Sequence, residues 1–119
     1  MIHHVGFEVA DLARSARFYD AVFFALGARR LHATDHAIAY GTVEPVFWLT
    51  ARHRPAPTYG HVALNASGKA AVDAAHAAGL QAGGSDDGAP GPRLQYGTYA
   101  AYLRDPDGLR VEVTADRSG

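Results

Sequence analysis

Two stretches of this chain, "IHHVGFEVADL" near its start and "YGHVALNASGK" near its middle, follow one plan: a His, a short apolar alternation, then a helix-like segment. Set at an offset of about 57 residues in a search for internal repeats, His4 falls on His61, Val5 on Val62, Phe7 on Leu64 and Val9 on Ala66. Further along, Tyr19 falls on His76, Phe23 on Leu80 and Gly27 on Gly84. Two copies are too few for a solenoid, which needs about three stacked units to bury its faces. Paired modules are the reading that remains.

The first module begins with a strand in which Val5, Phe7 and Val9 share one face and His4, Gly6 and Glu8 the other. Asp11 is placed to cap the helix that follows. Leu12, Ala16, Tyr19 and Phe23 recur at helical spacing as its buried stripe, and Gly27 ends it. Short strands are expected at 29–33, 37–41 and 46–50, and the Pro-rich "RHRPAP" (52–57) separates module one (1–51) from module two (58–119) within one domain, 1–119. In module two, Val62 and Leu64 face the core, Ser67 caps a helix carrying Val72, Ala75 and Leu80, and "GGSDDGAPGPR" (83–93) reads as a loop rich in breakers. "TYAAYLRDPDGLRVEV" reads as a hairpin around the "DPDG" turn. The order is β-α-β-β-β twice: an α+β domain whose modules form a curved, partly open mixed sheet around a concave metal or ligand cavity. One sheet face packs on helices, and the other carries His, Glu, Asn, Tyr and Arg.

Composition narrows the function classes. A formal net charge of −1 over 119 residues, with ten Arg, one Lys and no basic run, argues against binding nucleic acid by phosphate neutralisation. Without cysteine there are no disulfides, thiolate metal sites or Cys nucleophiles. No apolar run reaches the length of a membrane span and no signal peptide precedes the first strand, so a cytoplasmic protein is expected. Short curved sheets leave edges and an open cavity, which predicts a homodimer.

His4 and His61 occupy equivalent positions, so a pseudo-twofold pairing of modules would bring them together. In "LRVEV", Val111 and Val113 face the core, which turns Glu112 to the histidine side. Two imidazoles and a carboxylate leave open positions on a divalent ion, which can then act as a Lewis acid. A single strand histidine is more often a hydrogen-bonded structural residue; the repeat equivalence and the parity of Glu112 favour the ligand reading. His3 points the opposite way from His4. His32, His36 and His53 lie in turns or the linker and are expected in solvent, and His76 is expected in a packed interface.

The segments "HHVGFEVADLARSARFYDAVFFALG", "GHVALNASGKAAVDAAHAAGLQAGG" and "PGPRLQYGTYAAYLRDPDGLRVEV" together resemble the vicinal oxygen chelate superfamily. That superfamily holds glyoxalase I, fosfomycin resistance proteins, extradiol dioxygenases and bleomycin resistance proteins. The resemblance implies His4, His61 and Glu112 as metal ligands, with Mn, Fe, Ni or Zn as the ion. Four-ligand members take a further carboxylate from the last strand of module one; here "VFWLT" (46–50) offers none, a departure from glyoxalase I proper.

The resemblance favours the hairpin register that puts Thr98, Ala100 and Tyr102 on the cavity face. A slip of one residue would put Tyr99 and Ala101 there instead. Tyr102 is then a candidate proton donor and Glu8 a candidate base. Trp48, Phe47, Arg93 and Tyr99 are candidate substrate contacts, Arg93 toward an anionic group and one of Phe47 and Trp48 as an aromatic wall. The expected function is a glyoxalase-like metal enzyme that chelates vicinal oxygens of a small substrate, as lyase, isomerase, thiol transferase or dioxygenase. The alternative is a metal-free binding protein of the bleomycin-resistance kind.

Overall fold

The computed structural model describes residues 1–116; residues 117–119, the end of the second expected module, lie outside the described residues. The first half runs β1 (Val5–Glu8), α1 (Leu12–Ala25), β2 (Arg29–Ala33), β3 (Ala37–Gly41) and β4 (Phe47–Thr50). The second runs β5 (His61–Asn65), α2 (Lys69–Gln81), β6 (Ser85–Arg93), β7 (Thr98–Arg104) and β8 (Arg110–Asp116), with a single 3₁₀ turn at Leu94–Tyr96. Each half makes a four-stranded mixed sheet, in the orders β1-β4-β3-β2 and β5-β8-β7-β6. The first strand of each half pairs in parallel with the last. The open mixed sheet of the domain is therefore two separate halves, not closed into a barrel.

The helices form where the apolar period demands them. Asp11 accepts a hydrogen bond from the Arg14 amide at 3.0 Å and caps α1. Ala16, Tyr19, Val22 and Phe23 are buried along its inner face. Tyr19, Phe23, Tyr40 and Phe47 stack into an aromatic cluster with centroid separations of 4.7–6.5 Å. The helices meet at Gly79, where an added Cβ would lie 2.7 Å from Leu103 and 3.1 Å from Phe18 and Val22. The cap expected at Ser67 is not made: Gly68 takes the N-cap position with no side-chain bond.

Residues 83–93 correct the expectation of an irregular loop. They include β6, which pairs with β7 through register shifts between Asp86 and Gly88 and between Gly88 and Gly91. Pro90 and Pro92 are accommodated because β6 is an edge strand, where a missing N–H need not break a ladder. Neighbouring β7 supplies the regularity that the composition of β6 lacks.

The "DPDG" turn joins the halves. Asp105, 5% exposed, accepts from the amides of Asp107 and Leu109, each at 2.9 Å, and from the Tyr19 hydroxyl of α1 at 2.6 Å. Burial raises the Asp105 carboxyl above the ordinary carboxylate range and, with the neighbouring acid, the Tyr19 hydroxyl well above the phenolic range. Asp107 accepts from Arg14 at 2.8 Å and from the Ala10 amide at 3.2 Å. A turn of module two is thus seated on the start of the helix of module one.

Candidate functional site

Strand register sorts the open faces. Across the second sheet, Gly88, Tyr102, Glu112 and Ala63 stand in one row, with Tyr102 directly opposite Glu112 and Glu112 opposite Ala63. The next row holds Arg104, Arg110 and His61. This is the register that turns Tyr102, not Tyr99, toward Glu112. His61 Nε2 lies 3.6 Å from Glu112 Oε1. With ligand bonds of about 2.0–2.2 Å, two donors on one ion stand about 3 Å apart, so this pair needs only a small adjustment to share a cation. A cavity of about 340 Å³ is lined by His61, Tyr96, Tyr102, Arg110 and Glu112.

Across the first sheet the corresponding row is Gly6, Trp48, Ala39 and His32. Trp48 pairs with Gly6 as Glu112 pairs with Ala63, so an indole occupies the place of the module-two carboxylate. His4 lies in the coil before β1, its ring 6.4 Å from that of Trp48, and the His32 ring is 5.1 Å from the same indole. His32 is exposed, as expected, but stands on strand β2 beside an aromatic and not in a turn. His3 does not point away from His4: their Nδ1 atoms are 2.8 Å apart. The strict alternation assumed for His3 fails because β1 begins only at Val5.

The three expected metal ligands do not meet within one chain. Among the described residues, no group of three or more His, Cys, Asp and Glu side chains is arranged to hold a metal ion. The reason lies in the packing. Val5 and Phe7 of β1 and Val62 and Leu64 of β5 line one shared apolar groove. Trp48 and Glu112 stand on the other strand parity of two separate sheets, and His61 also borders that groove.

Four other candidates are corrected. Phe47 is buried among Phe7, Tyr19 and Phe23 and is a core residue, leaving Trp48 as the aromatic of the open face. Tyr99 lies on the helix side, its hydroxyl donating to Asp73 of α2 at 2.7 Å. Leu80, expected in the buried stripe of α2, is exposed. Glu8 is not a free base. Its carboxylate accepts from the Arg52 amide at 2.6 Å, the Arg54 amide at 3.3 Å, the Thr50 hydroxyl at 3.1 Å and the Arg54 guanidinium at 3.1 Å.

The Arg52 amide, followed by Arg54 and Thr50, holds the Glu8 carboxyl at about 2 against an ordinary 4.5, outweighing the opposing effect of burial. A depressed acid stabilises the fold above its unfolded pKa and loses that contribution as pH falls through the folded value. The melting-temperature difference between wild type and Glu8→Gln should hold steady above pH 4.5 and close between pH 4.5 and about 2. A difference that persists undiminished to the acid end would show that Glu8 does not anchor the linker by its charge.

Two neighbours of the His61–Glu112 pair escaped the sequence reading. Arg110 shares the face of Glu112 two residues on, and its guanidinium carbon lies 3.9 Å from the Tyr102 ring centroid. Thr114, the next residue of that parity, has a buried hydroxyl without a hydrogen-bond partner among the described residues. The parity argument that found Glu112 reaches both. Arg93 ends strand β6, its guanidinium 5.4 Å from the same tyrosine ring. Asp105 is structural, and His76 lies in a packed interface, as expected: it is buried and meets Asp86 at 2.9 Å.

Two βαβββ modules, each presenting the open face of a four-stranded sheet, define a paired-module α+β protein. Residues 1–113 match the Glyoxalase/Bleomycin resistance protein/Dioxygenase superfamily, and this chain belongs to that superfamily. The lactoylglutathione lyase of Escherichia coli O157:H7 is 29% identical over 96% of this chain and 91% of its own length. A glyoxalase/bleomycin resistance protein from Albidiferax ferrireducens T118 superposes with a TM-score of 0.86 at 34% identity, covering 94% of this chain and 96% of that one. A glyoxalase I mutant from Zea mays superposes at 0.74 with 27% identity, covering 94% of this chain and 44% of the larger plant chain. Among the described residues no helix is long and apolar enough to cross a membrane.

Proposed function

We propose that this protein is a glyoxalase-like enzyme that holds vicinal oxygens of a small substrate at a divalent ion. In this reading His61 and Glu112 of one copy and His4 of a second copy form the ligand set. The observation that carries it is the 3.6 Å approach of His61 to Glu112 on an open sheet face beside Tyr102, with no cluster of three such donors among the described residues of one copy. A C2 dimer can supply the third, because what one copy lacks the other presents.

A divalent ion of the Mn, Fe, Ni or Zn kind, when bound, contributes Lewis-acid stabilisation of negative charge developing on a substrate oxygen. The chain's own residues do the rest. Tyr102, directly across from Glu112, is placed to give or take a proton at its hydroxyl. Trp48 supplies an apolar wall. With Trp48 in the place of a second carboxylate and Glu8 tied to the linker, the proton transfer that a lactoylglutathione lyase performs would fall to Tyr102. Lyase or isomerase chemistry is the reaction class that the named relatives favour.

A second reading has its own support. Trp48 with the His4 and His32 rings makes an aromatic surface suited to an apolar ligand bound without metal. Elemental analysis of gently purified protein separates the two. The metal reading expects a transition metal in stoichiometric amount, lost in His61→Ala. Protein that purifies without metal and takes up none of Mn²⁺, Fe²⁺, Ni²⁺ or Zn²⁺ would leave the ligand-binding reading.

A further inference from the structure

The face around the His61–Glu112 pair carries more positive charge than its own acids balance. Arg104 and Arg110 share one carboxylate: Asp87 Oδ2 lies 3.1 Å from Arg104 Nε and 2.9 Å from Arg110 Nε. Arg93 has no carboxylate within salt-bridge distance among the described residues; its guanidinium donates only to the Ala89 carbonyl, at 3.0 Å. Three guanidiniums thus stand against Asp87 and Glu112, and Glu112 is the group that a bound cation would neutralise. Two of the three, Arg93 and Arg110, lie against the Tyr102 ring, at 5.4 and 3.9 Å. The surplus is therefore concentrated at the tyrosine that faces Glu112.

We infer that the substrate of this site carries an oxyanion, a carboxylate or a phosphoryl group, and that Arg93 binds it beside Tyr102. This rests on the face of β7 and β8 being the substrate face, as proposed above. The assignment follows from which guanidinium is free. Asp87 holds Arg110 and Arg104 in place and offsets part of their charge, whereas Arg93 has no such partner among the described residues. Arg93 spends one donor on a neutral carbonyl and retains a planar fork that matches two oxygens of an anion. The Tyr102 ring fixes where that fork sits. The substrate class is then bifunctional: oxygens for the cation at one end and a negative group a few ångströms away at the other. A neutral diol or a wholly apolar drug would leave Arg93 unused.

The test is isothermal titration calorimetry on the full-length, metal-free protein at low ionic strength, with inorganic phosphate and, separately, with lactate. Wild type should bind at least one of them, and the preferred one tells a phosphoryl group from a carboxylate. Arg93→Gln should weaken binding about tenfold or more, the loss expected for a charge-assisted hydrogen bond. Arg93→Lys, which keeps the charge without the fork, should fall between and serves if the Gln variant does not fold. Glu112→Gln should bind the anion as well as wild type or better, while losing Mn²⁺ in a parallel titration. Anion binding that is absent in wild type, unchanged in Arg93→Gln, or abolished in Glu112→Gln overturns the inference. Wild type that takes up no Mn²⁺ but binds the anion through Arg93 would instead remove the metal reading and leave the anion site standing.

Discussion

Neither His4→Ala nor Glu112→Ala should hold a stoichiometric divalent ion alone, yet an equal mixture of the two, unfolded and refolded together, should recover part of it. Each ion would draw on His4 of one copy and on His61 and Glu112 of the other. In a mixed dimer, one of the two sites then collects both lesions and its twin collects none. With about half of the dimers mixed and one site in two restored, metal content should return to about a quarter of the wild-type value. Homodimers of either variant should show a loss in metal affinity of more than about a hundredfold, since even residues that only orient ligands are worth ten- to a hundredfold. Recovery is the informative result. If all three ligands came from one chain, every site in the mixture would lack one, and refolding would return nothing. The expectation rests on His4 preceding one sheet while His61 and Glu112 stand on the other, with no cluster of three such donors among the described residues of one copy.

Asp105→Ala should be the most destabilising single change outside the aromatic core. The carboxylate terminates three hydrogen bonds in a site almost closed to water: from Tyr19 at 2.6 Å and from two turn amides at 2.9 Å. Alanine leaves all three donors without partners. At about 1 kcal/mol for each bond the loss is about 3 kcal/mol, a fall in melting temperature of roughly 10 °C for a domain of this size. Tyr19→Phe, which removes one of the three, should cost about a third as much. Asp105→Asn, which keeps an acceptor but brings an amide donor, should lie between alanine and wild type. Circular dichroism melts of the four proteins give the series. A shift below about 3 °C for the alanine variant would mean that the turn is not a structural tie between the modules.

Much of this architecture was legible because its signals are local. Val5 and Phe7, or Val111 and Val113, alternate within a few residues; the α1 stripe repeats every three or four; Asp11 sits one residue before its helix. Glu112 was placed by counting along its own strand; the register that sets Tyr102 across from it was favoured only by the family resemblance, and the pairing agrees with it. What local pattern does not carry was missed. Glu8 has the parity of a cavity residue, but its partners are 42 to 46 residues away in the linker, and no periodicity announces them. Tyr99 has its hydroxyl on Asp73 because of how α2 lies on the sheet, which is a tertiary fact. Segment 83–93 has the composition of a loop and is a strand because β7 templates it. The sequence leaves open whether His4 joins His61 and Glu112 within one copy or across two: equivalence says that His4 and His61 play matching parts, not which copy each part comes from.

One edge of the molecule is poorly suited to accept a further strand. Along β6 the prolines at 90 and 92 interrupt the line of amide donors, and the register shifts at Gly88 spoil its flatness. A strand from another molecule therefore finds no continuous ladder to zip onto, and this margin resists the open-ended stacking that turns sheets into fibrils. Fibril growth across this margin is thereby disfavoured, while β1, β2 and β5 are the other outermost strands of the two sheets.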